Sequence, residues 1–75
     1  DLAFQSFYEV AQPRDGDVVL MRQAKNPVHV GIWLDVDGGG VLHCCRNSGV
    51  VFQNVPSLNA TGWFLHSYYQ VKNNL

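Results

Sequence analysis

The stretch from Val28 to Arg46 reads V-H-V-G-I-W-L-D-V-D-G-G-G-V-L-H-C-C-R, two apolar segments joined through three consecutive glycines. Short apolar runs flanking residues that tolerate positive φ predict a β-hairpin. One arm carries His29 and the other His43. Strand side chains alternate with period two, and both positions are odd-numbered, so a register that puts one imidazole on a face tends to bring the other there too. A turn centred on Asp37 sets His43 opposite Gly31 and His29 opposite Cys45. A turn centred on Val36 sets the two histidines opposite each other. Cross-strand Cβ atoms lie about 4.5–5.5 Å apart, so either register keeps the imidazoles close. Gly31, between them, leaves room for a substrate or another backbone.

The remainder of the chain reads mostly as further strands. Pro13-Arg14-Asp15-Gly16 is a turn leading into the apolar run Val18–Met21, and a polar loop over Gln23–Pro27 precedes the hairpin. Asn47-Ser48-Gly49 is a second tight turn, after which Val50–Asn54 pairs back. Pro56–Gly62 reads as a loop and Trp63–Val71 as a last, aromatic-rich strand. Phe4, Phe7, Tyr8 and Ala11 have helical spacing, which allows a short amphipathic helix in a lead-in over 1–12. The expected architecture is α+β: one domain over 1–75, with an antiparallel meander of four or five strands over 13–71.

A chain of 75 residues buries only roughly 60 % of its unfolded surface. Yet hydrophobic residues make up 47 % and charged residues 15 %, against about 25 % charged in ordinary domains. Such a balance suggests a piece of a larger fold or assembly, with self-association through a bare sheet face. Asp1 in place of methionine suggests processing or a boundary within a longer protein. The net charge of −1 and five scattered basic residues give no patch for phosphates, so no nucleic-acid partner is expected. No apolar run has the length of a membrane span and no signal peptide is visible.

Three chemistries suit the histidine pair. The imidazoles are polar residues of a small sheet, or a general base with the partner that holds its tautomer, or two ligands of a metal. Zinc would have only His29, His43 and Cys45, without paired-ligand spacing, so neither metal nor cofactor is expected. Cys44 and Cys45 are adjacent, and on a strand they point to opposite faces, which disfavours a mutual disulfide. Cys45 is an in-chain candidate nucleophile opposite His29, without the helix N-terminus that usually stabilises a thiolate. Trp33, Trp63, Tyr68 and Tyr69 suit core packing, with a ligand-stacking surface as the alternative. His66 reads as an ordinary sheet residue.

Gly16-Asp17-Val18-Val19, His29-Val30-Gly31-Ile32-Trp33-Leu34, Val41-Leu42-His43 and Ser48-Gly49-Val50-Val51 occur in that order. In this the chain resembles the C-terminal half of the NlpC/P60 superfamily, papain-like cysteine peptidases and amidases, many of which cut bacterial cell-wall peptides. The likeness is greatest to phage and prophage members associated with tail assembly. It implies a papain-like half-domain, His29 as general base and His43 as orienting residue. Gly31, for its open space, and Trp33, for its aromatic ring, are the candidate substrate contacts read from the residues themselves. It also implies a nucleophilic cysteine in an Asp-Cys-(Ser/Gly) motif ahead of the Gly-Asp strand, which residues 1–12 lack. Partners implied are a cell-wall peptide, a missing N-terminal half or other tail proteins, in the bacterial cytoplasm or a phage tail. Activity is not expected of this chain alone, and a non-catalytic assembly or partner-binding module is the alternative.

Overall fold

The computed structural model describes residues 5–24 and 28–73. They form one six-stranded antiparallel sheet: β1 (Gln5–Val10), β2 (Val18–Arg22), β3 (His29–Leu34), β4 (Gly40–Cys45), β5 (Gly49–Asn54) and β6 (Phe64–Asn73). The strand order is β1-β6-β2-β3-β4-β5. A single helix of six residues, α1 (Val55–Ala60), joins β5 to β6.

This arrangement overturns the expected α+β, papain-like half-domain. Six strands and one short helix make the chain all-β in character, and the sheet is not a simple meander. β2 to β5 are sequential neighbours, but β6 returns past them to pair with β2, and β1 lies beyond it. The first half of β6 lies on β2 and the second half on β1, with Tyr68 and Tyr69 paired to both.

The helix expected near the N-terminus is instead β1. Phe7 is 60 % and Tyr8 46 % exposed, so their helical spacing buries no common stripe. The ladder Gln5–Val10 against Tyr68–Asn73 satisfies the backbone there. Phe4 lies outside the described residues, as do residues 25–27 of the loop before β3. The segment read as a loop over Pro56–Gly62 contains most of α1. Asn54 caps that helix, its side chain accepting from the Ser57 amide at 2.9 Å. Pro56 sits in the first turn, where its missing N–H needs no partner.

Cross-strand pairs define the faces. Val19, Gly31, His43 and Val51 lie opposite one another in turn across β2, β3, β4 and β5, as do Trp33, Val41 and Gln53 across the last three. This face carries the core: Val19, Met21 and Val41 are fully buried under Leu58 of α1, with Trp33, Trp63, Leu65 and Tyr68 around them. The other face presents Val18, Ile32, Leu42 and Phe52 in one row. Asp17 fixes the open end of β2 and β3. Its carboxylate accepts from the Arg14 amide at 2.8 Å, and its carbonyl accepts from the Trp33 amide at 2.8 Å.

Candidate functional site

The hairpin between β3 and β4 turns about Asp37 and Gly38, both at positive φ, and sets His43 opposite Gly31. His29 opens β3, opposite Met21. The two imidazoles are thus diagonal neighbours on the core face, and they meet. His29 Nε2 lies 3.0 Å from His43 Nδ1, with the rings edge-on at 82° and centroids 5.1 Å apart.

The far nitrogen of His43 is held from β5. Gln53 is paired with Val41, two residue-pairs along from His43 on the same face, and its Oε1 lies 2.7 Å from His43 Nε2. The amide nitrogen of Gln53 faces oxygens only: Ser57 Oγ at 3.0 Å, the Ser57 carbonyl at 3.4 Å and Thr61 Oγ1 at 3.5 Å. That environment fixes which end of the amide is which, so His43 Nε2–H donates to Gln53 Oε1. A neutral His43 then has its lone pair on Nδ1, and His29 Nε2–H donates to it. The remaining lone pair of the chain is on His29 Nδ1. Tautomer logic alone makes that atom the base.

Burial differs along this chain. His43 is only 3 % exposed, while His29 is half-buried. Desolvation lowers the His29 pKa below its ordinary 6.5, and the neighbouring His43 lowers it further. His29 is therefore held as the neutral imidazole that a general base requires.

Trp63 completes the surroundings. Its indole stacks on His29, centroids 4.6 Å apart and planes at 29°. A cavity lined by Gln23, His29, Cys44, Cys45, Arg46 and Trp63 opens on one side. On the other, Cys45, Ser48, Val51, Gln53, Thr61 and Trp63 line a second.

The sequence-predicted residues are thus divided. His29 and His43 are brought into contact. Cys45 Sγ lies 3.8 Å from His43 Nδ1, beside a lone pair that already accepts from His29, and is not directed at the free nitrogen by that contact. Gly31 offers no open space. A Cβ there would meet Val41 Cγ1 and would lie 2.9 Å from the Leu42 carbonyl oxygen and 3.2 Å from His43 Cβ. Its role is close approach of β4 to β3. Trp33 is turned to the core side: it packs on Tyr68 with planes at 70° and donates from Nε1 to Asp35 Oδ1 at 2.7 Å. Neither residue lines either cavity described above. Of the aromatics weighed as a stacking surface, Trp63 is the one on the histidine.

Gln53 was the residue that sequence reasoning missed. A lone glutamine carries no signature, and its role appears only with the β4–β5 register. Among the described residues, no group of three or more His, Cys, Asp or Glu side chains is placed to hold a metal ion. No helix there is long and apolar enough to cross a membrane. Comparison with family models, curated proteins and solved structures finds no match to this chain.

Proposed function

We propose that His29, His43 and Gln53 are the proton-handling part of a thiol-dependent hydrolase of peptide amide bonds. The observation that carries this is the ordered hydrogen-bond chain, 3.0 Å from His29 to His43 and 2.7 Å from His43 to Gln53. It leaves one unprotonated nitrogen, on a residue that lines a cavity. In the reaction, His29 Nδ1 takes the proton of a cysteine thiol, and the thiolate attacks the amide carbonyl carbon. The imidazolium so formed keeps its Nε2–H on His43, then returns the Nδ1 proton to the leaving amine. Water then releases the acyl group by the same route in reverse.

Cys44 and Cys45 both line the His29 cavity, but Cys45 Sγ lies at His43 Nδ1, 3.8 Å away. Both sit on β4 without the helix N-terminus that stabilises a thiolate, so the thiol is taken to come from outside these 75 residues. The ordered motifs shared with NlpC/P60 peptidases support a bacterial cell-wall peptide as substrate, and the likeness to phage and prophage members supports a tail setting. The test is the native gene product incubated with cell-wall peptides, with release of new amino groups followed over time. Cleavage is expected, with His29→Ala slowing it about 10²- to 10⁴-fold and Cys45→Ser leaving it intact. A native product that cleaves nothing sinks the enzyme reading. The misdirected Cys45 thiol would then favour a non-catalytic module that binds tail or other partner proteins.

A further inference from the structure

We infer that Trp63 is a positioning residue for His29, its stacked indole holding the imidazole edge-on to His43 with Nδ1 turned to the cavity. A histidine ring turns about its Cβ–Cγ bond in a broad, roughly two-fold well. The single contact with His43 restrains Nε2 but leaves the tilt of the ring plane free. A tilted ring loses the alignment of its N–H with His43 Nδ1 on which the tautomer depends. The two neighbours constrain different motions. His43 meets the ring at 82° and the indole lies nearly flat on it at 29°.

Trp63 is itself firmly placed. Its amide donates to the Leu58 carbonyl at 3.0 Å, immediately after Gly62 at φ +95°, and its ring packs on the core. Gly62 is also where the chain passes Gln23, whose Nε2 would lie 3.4 Å from a Cβ at that position. Trp63 lines both cavities, the one that holds His29 and the one that holds Gln53. The indole covers one face of the His29 ring, and His29 still lines the cavity beside it. The other titratable side chains lining the His29 cavity are Cys44, Cys45 and Arg46, of which Cys45 meets His43, its Sγ 3.8 Å from Nδ1.

The catalytic consequence rests on the function proposed above, but the positioning is read in the resting protein. Two-bond ¹H–¹⁵N correlation spectra report which nitrogen of each imidazole carries the proton. The native protein should show His29 as a single tautomer, protonated on Nε2. Trp63→Phe should keep that signature, whereas Trp63→Ala and Trp63→Leu should lose it to averaged ring signals. Their His29 titration midpoint should also move up toward 6.5. Leucine retains apolar bulk against the core, so it answers the question if the alanine variant does not fold. A folded Trp63→Leu protein with the native His29 tautomer and titration would overturn the role. That outcome leaves the hydrolysis test untouched, and absence of hydrolysis leaves this one untouched.

Discussion

A neutral imidazole has one donor nitrogen and one acceptor, and for His43 the choice is made by Gln53. Removing that acceptor leaves a nitrogen of a residue only 3 % exposed without its partner. Gln53→Leu should therefore destabilise the fold by about 1–3 kcal/mol in chemical denaturation, the cost of an unpaired buried polar group. His29 gives the pH dependence. Its pKa in the folded chain is below 6.5, from burial first and the neighbouring His43 second, so the unfolded chain takes up this proton first as pH falls. The contribution of neutral His29 to stability is fully present above about pH 6.5 and is lost progressively below it, until the folded His29 is protonated too. Melting temperatures should decline on acidification through this window, and less so in His29→Gln. The histidine meeting was legible from parity and the glycine-rich turn, because the β3–β4 register runs without a bulge and keeps the period-two alternation. Gln53 and Trp63 were not, because a side chain that acts only by touching another leaves no local pattern.

At the scale of elements, the β3–β4 pair depends on a glycine. Gly31→Ala forces a Cβ to 2.9 Å from the Leu42 carbonyl oxygen, so the strands must part. A loss of about 1–3 kcal/mol is expected from denaturation curves, typical of overpacking. Helix α1 depends on its cap. Asn54→Ala removes the acceptor for the Ser57 amide and should cost about 0.5–2 kcal/mol in thermal unfolding. Ser57 and Thr61 also hold the Gln53 amide, so the same variant should shift the His43 ring signals. The hairpin arms could be read from apolar runs and turn residues. β1 and α1 could not, for opposite reasons. Phe7 and Tyr8 belong to a helically spaced set with Phe4 and Ala11, but their element is fixed by a partner more than sixty residues away. α1 has a cap and a proline but only one buried apolar residue, Leu58, too little for a periodic signal.

For the whole molecule, the uneven cover of the sheet matters most. Leu58 and its neighbours roof one face, whereas Val30 on the other is 55 % exposed and Val50 68 %, with Phe64 at 53 %. Apolar surface left this open drives association. The sedimentation coefficient should rise with protein concentration, and Val50→Lys combined with Phe64→Lys should abolish the rise. The order of strands was not legible, since nothing in β6 announces that it passes β5 to reach β2. That return path runs through α1, the one helix among the described residues and the element that anchors the far end of the histidine chain. The lifetime of a six-residue helix thus becomes the clock of the site. Each time its last turn frays, Gln53 is released to rotate, His43 can exchange tautomers, and His29 can be left with its lone pair facing inward. Amide exchange at Thr61, whose N–H is held by the Ser57 and Leu58 carbonyls, would measure how often the base is out of service.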